Sequence, residues 1–153
     1  MSPVVIAAAI GFVVVSAAIG SVLAGAGGWR ALAARHPLSR SDAHDEEQHR
    51  FASLKTAGGA IGTATYRSVV TIGLGSRGIS LSLWAPFAMN HPPIFLPWKA
   101  VEHYRMLEVY GNRWTTLRIR GGESITVYGW PAAAMAARAE AASIPLTPLG
   151  PAV

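Results

Sequence analysis

Residues 72–83, IGLGSRGISLSL, decide the fold. They contain a literal G-x-G-x-x-G at Gly73, Gly75 and Gly78, the pattern of a dinucleotide-binding loop. Such a loop needs a strand before the glycines and a helix after them, whose N-terminus receives the pyrophosphate. It also needs an acidic residue about 20 positions on, to hold the ribose. A strand pattern does precede the glycines. After them, however, Ile79, Leu81 and Leu83 alternate with Ser80 and Ser82, which is a second strand. No Asp or Glu occurs between Glu47 and Glu102, so the ribose ligand is missing too. The glycines therefore read as a hairpin connection, with positive φ at one or two positions and Arg77 at the tip.

Working outward, short strand patterns recur between glycine turns. They cover residues 50–57, 65–74, 79–84, 93–98, 101–110, 114–120 and 123–129. Leu117 and Ile119 oppose Arg118 and Arg120, and Ile125 and Val127 oppose Thr126 and Tyr128. One-face burial of this kind predicts an antiparallel barrel or sandwich. Residues 131–142, PAAAMAARAEAA, switch to helix formers, with Pro131 at the permissive first turn. In HPPIFLPW (91–98), Pro92 and Pro93 deny ladder donors, so the strand starts at Ile94, and Pro97 marks an edge or bulge. Ile94 and Leu96 can point inward with Trp98 closing the barrel end, and the same spacing can instead form an exposed binding groove. Seven strands and a final helix are the element order of a pleckstrin-homology (PH) fold. The domain spans 50–143, followed by a flexible tail at 144–153.

The N-terminus carries a different signal. The chain is 51% hydrophobic and 14% charged, with a mean hydropathy of +0.32. Much of this lies in residues 4–28, a charge-free run about 38 Å long as a helix, against a hydrocarbon core of about 30 Å. A cleaved signal peptide would fit Ala24-Gly25-Ala26, but no Lys or Arg precedes the run, and it is long for a signal h-region. The expectation is a transmembrane helix over 1–29, then a juxtamembrane extension and linker over 30–49. Arg30, Arg35 and Arg40 follow the span, so the positive-inside rule puts the N-terminus in the periplasm and the C-terminal domain in the cytoplasm. Trp29 is expected at the membrane interface. Ser16, Gly20, Ala24 and Gly28 form a small-residue stripe suited to packing on another helix.

GWRALAARHP (28–37), YRSVVTIGLGSRGISLSL (66–83) and above all HPPIFLPW (91–98) carry a resemblance covering most of the chain. The sequence resembles a group of small bacterial membrane-anchored proteins with a PH-like domain. The resemblance implies an architecture, one inner-membrane helix followed by a PH-like barrel, and brings no activity or ligand with it.

Catalytic patterns are missing. There is no cysteine and no G-x-S-x-G, and His91 and His103 lack an evident carboxylate to orient them. The two histidines of HDEEQH (44–49) are five apart, so neither helix nor strand converges them on a metal. His91, before two prolines, is suited to pinning a loop. No enzyme activity, cofactor or metal is expected. With a net charge of +5, Arg77, Arg118 and Arg120 belong to a diffuse basic face suited to weak contact with anionic lipid. Phosphoinositide binding needs Lys and Arg converging around the first hairpin, and that motif is essentially missing, with Lys55 and Arg67 only at its margins. The basic residues are too scattered for nucleic acid. Phe87, Met89 and His91 lie in the expected loop at 84–93 and are candidates for partner or lipid contact. The leading expectation is a non-enzymatic single-pass protein presenting a PH-like binding or scaffold domain, with the bilayer and a protein as partners. The alternative is an accessory subunit of a larger membrane complex, held through its transmembrane helix.

Overall fold

The computed structural model describes residues 2–39, 42, 46–59, 62–85 and 87–147, without the side chains at 13, 16–23, 25, 26 and 59. Helices α1 (Pro3–Ala26) and α2 (Trp29–Arg35) precede seven strands. These are β1 (Glu47–Gly59), β2 (Gly62–Leu74), β3 (Gly78–Leu83), β4 (Ile94–Pro97), β5 (Val101–Val109), β6 (Asn112–Ile119) and β7 (Ser124–Tyr128). Helix α3 (Trp130–Ala141) follows. The strands form one antiparallel sheet in the order β4-β3-β2-β1-β7-β6-β5.

This is a curled half-barrel and not the closed barrel expected. Edge strands β4 and β5 are joined by a 3₁₀ turn at Trp98–Ala100 but are not paired. The period-2 patterns come out as read. Leu54, Ile72, Leu81, Leu96, Leu117 and Val127 are fully buried on the concave face. Helix α3 covers part of that face with Ala132, Met135 and Ala139, and Thr115 fixes it by donating to Ala132 O at 2.7 Å.

The N-terminal segment departs from expectation. Among the described residues no helix is long and apolar enough to cross a membrane, so the transmembrane helix expected over 1–29 is not borne out. The single-pass topology and the inner-membrane location with a periplasmic N-terminus rested on that span and fall with it. The described exposed apolar side chains of α1 reach from Val4 to Val15, about 18 Å of helix against a hydrocarbon core of about 30 Å. Further on, the run turns into the protein: Ala24, Trp29 and Leu32 are fully buried in the core. A Cβ at Gly27 would lie 2.3 Å from Thr56 Oγ1, so the chain here lies directly against β1. Trp29, expected at a membrane surface, instead donates from Nε1 to Pro92 O at 2.9 Å.

The basic flank is likewise structural. Arg35 pairs with the buried Glu123 and donates to Arg120 O, tying α2 to the β6–β7 turn. His36 O accepts from Phe95 N–H, and Leu38 N–H donates to Pro93 O, so residues after α2 lie along the edge of β4. Part of the expected linker at 30–49 thus belongs to the domain, and its far end, from Glu47, is strand. Arg40 lies outside the described residues.

The fingerprint glycines are explained by proximity and not by turn conformation. Among the described residues positive φ occurs at seven other glycines, and Gly73, Gly75 and Gly78 are not among them. A Cβ at Gly78 would stand 2.3 Å from Leu96 O and 2.8 Å from Pro97 Cα, backbone that β3–β4 pairing holds in place. One at Gly73 would meet Glu46 Oε2 and Ser80 Oγ, which hydrogen-bond each other at 2.7 Å. Gly75 O accepts from Trp98 Nε1 at 3.0 Å, which seats the tryptophan over the end of the core.

Gly78→Ala is expected to destabilise the fold by about 1–3 kcal/mol, because the new methyl meets immobile backbone. Gly11→Ala, where nothing lies within 4 Å, should be neutral or gain up to about 1 kcal/mol. Urea midpoints of the two variants check this, and equal midpoints would refute the close-packing account.

Candidate functional site

Three register shifts interrupt the β1–β2 ladder, and the first two are bulges in opposite strands. The register runs His49↔Ile72, Ala52↔Val70, Leu54↔Tyr66, leaving an extra residue first in β1 and then two in β2. Both bulges place a non-glycine residue in the left-handed region, Phe51 at φ 56 and Ser68 at φ 54. For a bulky aromatic this is a real outlier, costing roughly 1–3 kcal/mol. The Phe51 ring itself is 65% exposed and lies outside the core.

Phe51 instead meets other aromatic rings. Its ring stands edge-on to Trp84 at 6.3 Å, and Trp84 stands edge-on to Phe87 at 5.6 Å. Trp84 N–H donates to Val69 O, at the β2 bulge, and the loop after it turns tightly through Phe87 N–H to Trp84 O and His91 N–H to Ala88 O. Trp84 and Met89 are each 47% exposed, while Phe87 is partly buried against the core. The result is an exposed apolar edge assembled from β1, the end of β3 and the following loop.

His91 anchors that loop from below. Its Nδ1–H donates to Met89 O at 3.3 Å, which leaves Nε2 to accept from the Tyr66 hydroxyl at 3.2 Å. Trp29 and Tyr66 both meet the imidazole edge-on, at 5.4 and 5.3 Å. Burial pushes the His91 pKa below its ordinary value, and the nearby Arg30 adds to this. Burial pushes the Tyr66 hydroxyl up to about 12. His91 is thus a neutral loop pin, with its ring only 3% exposed.

The other expected site residues are scattered. Arg77 sits in the β2–β3 turn, at the opposite end of β3 from Trp84, with its carbonyl accepting from Trp98 N–H. Arg118 and Arg120 share the solvent side of β6 and its end, away from the loop. Of the small-residue stripe, Ala24 and Gly28 are buried inside this chain, and the side chains of Ser16 and Gly20 lie outside the described residues. Of HDEEQH, His44 and Asp45 lie outside the described residues, while His49 is buried against the Trp130 ring at 4.4 Å. No metal-holding cluster occurs among the described residues. Phe51 was missed altogether: within RFASLKTA nothing marks it as an inserted residue. No protein-family model and no curated protein matches the chain.

Burial also lowers the pKa of His36, with Arg35 adding to it. A histidine depressed in the fold takes up its proton more readily when unfolded, so stability is full above the ordinary value of 6.5 and declines as pH falls below it. The urea midpoint should therefore drop between about pH 7.5 and about pH 5.5, and drop less in His91→Gln. An equal decline in the variant would remove His91 from this account.

Proposed function

We propose that the chain is a non-enzymatic binding protein in which a PH-like half-barrel presents the edge formed by Phe51, Trp84, Phe87 and Met89 to a protein partner. The observation that carries this is Phe51, a large apolar side chain held out in solvent by a strained backbone. Strained backbone of this kind clusters at binding and switch regions. Edge-on aromatic rings with an adjacent methionine match the composition of interface centres, where rigid rings bury much area at little entropic cost. The strand order and terminal helix support the PH-like reading, and the extensive backbone pairing beneath supplies the rigid support a recognition surface needs.

Phe51→Gly relieves the left-handed strain and removes a ring that contributes little to the core. It should leave stability unchanged or raise it by up to about 1 kcal/mol while weakening partner capture. A photo-crosslinking residue at Met89 should trap one discrete partner in native extracts, and Phe51→Gly or Trp84→Ser should abolish the adduct. An adduct of undiminished intensity in both variants, or none from Met89 in the parent, would contradict the proposal.

A further inference from the structure

The loop at 84–93 ends beside α2, and the two enclose a groove of about 330 Å³ that begins one residue past Met89. Arg30, Ala33, Ala34, Asn90 and Pro92 line it, so its surface is apolar apart from one amide and one cation. The walls are tied together before anything binds. Trp29 Nε1 donates to Pro92 O at 2.9 Å, and the Trp29 indole meets the His91 ring beneath the loop. Asn90, left-handed at φ 66, stands at the corner between the exposed aromatic edge and this groove. The surrounding charge has one sign. No Asp or Glu precedes Asp42, and none lies between Glu47 and Glu102, so α1, α2, β2, β3, β4 and the loop carry no carboxylate. In and just before β1, Glu47 is turned to His49 at 3.5 Å, and Glu46 accepts from Ser80 at the far end of β3. Arg30 is exposed at the groove and Arg50 is exposed next to Phe51. Among the described residues neither is in an ion pair.

We propose that the protein segment held on this edge is acidic as well as apolar, with one carboxylate seated in the groove against Arg30 and bulky apolar side chains beside it covering Met89, Phe87 and Trp84. This rests on the binding role argued above and names the chemistry of its partner. A carboxylate can take two parallel hydrogen bonds from one guanidinium, which fixes its direction as well as its charge. The apolar neighbours then exclude water, so the pair is worth more than an ion pair left open to solvent. The same geometry rejects other segments. A neutral one would cover Arg30 without compensating its charge, and a basic one would add repulsion from Arg30 and Arg50. Arg50, beside Phe51, extends the positive field to the β1 end of the edge and favours a second acidic residue there. The volume lies at the lower end of the roughly 300–1,000 Å³ of ligand pockets, which suits a side chain better than a cofactor. Because the Trp29–Pro92 bond fixes both walls, little ordering is needed when the carboxylate enters.

The test is fluorescence anisotropy of the full chain with three labelled peptides, one alternating Glu with Leu and Phe, the others carrying Gln or Lys in place of Glu. The Glu peptide should bind saturably and at least about tenfold more tightly than the Gln peptide, with the gap closing as salt is raised. Arg30→Gln should remove most of that gap, Arg30→Lys should keep part of it, and Arg30→Glu should turn the preference toward the Lys peptide. Arg118→Gln, the same charge change on β6, should leave the preference unaltered. Urea midpoints of the Arg30 variants should match the parent's, because the side chain is exposed. Phe51→Gly should weaken the Glu and Gln peptides by the same factor, which reads the aromatic edge separately from the charge. Equal affinity for Glu and Gln peptides, still lowered by Phe51→Gly, would overturn the acidic partner and leave the edge standing. Equal loss in Arg118→Gln would overturn the groove. Failure of all three peptides to bind overturns the inference as well, and the Met89 adduct then judges the edge on its own. Sedimentation with phosphatidylglycerol vesicles that Arg30→Glu abolishes would assign the surface to a membrane and overturn the protein segment.

Discussion

The indole of Trp29 fills a gap that the sheet leaves open. A half-barrel whose edge strands do not pair cannot bury its concave face alone, and here α2 and α3 complete the enclosure. Trp29 sits fully buried with Tyr66 at 5.2 Å and His91 at 5.4 Å, and its N–H meets Pro92 O. At about 25 cal/mol per Å² over the roughly 150–250 Å² a buried aromatic removes from water, this one side chain contributes at most about 4–6 kcal/mol. Its position also dictates its neighbours. With Trp29 seated, α2 is aimed so that Arg35 reaches Glu123 and His36 O meets Phe95 N–H. The loop carrying His91 is held between the same rings.

Strain is distributed accordingly. The β1–β2 pairing carries two bulges with left-handed Phe51 and Ser68, while the opposite face of the same strands holds Ala52, Leu54, Tyr66 and Val70 in the core. Burial on one face offsets distortion on the other, which lets the exposed face adopt shapes a regular ladder would not permit. The proposed aromatic edge sits at the first of these irregularities. Elsewhere, as in the regular β6–β7 pairing, the solvent face sets Trp114 beside Tyr128, Thr116 beside Thr126 and Arg118 beside Ser124.

Much of the sheet is legible in the sequence because period-2 alternation is local. Ile79, Leu81 and Leu83 announce their face without reference to any partner, and Pro92, Pro93 and Pro97 mark β4 as a short edge strand because proline lacks a ladder donor. The site was legible only in part. Met89 and Phe87 stand out as apolar residues in a loop, whereas Phe51 reads as one more residue of an alternating strand. Its exposure comes from a register shift relative to β2, and register is a property of two strands together.

The sequence by itself determined the strand succession, the terminal helix and the rejection of a dinucleotide loop, since each follows from short-range periodicity and chain stiffness. Only the tertiary structure decided where the apolar N-terminal run goes. A charge-free segment has the same composition whether its tryptophan faces lipid or fills a half-barrel, and the difference lies in the cavity waiting between Tyr66 and His91. It also decided what the glycines of IGLGSRGI are for. Hydrogen's smallness at Gly73 and Gly78 admits a carboxylate and a neighbouring strand, and no local pattern states which backbone will come that close.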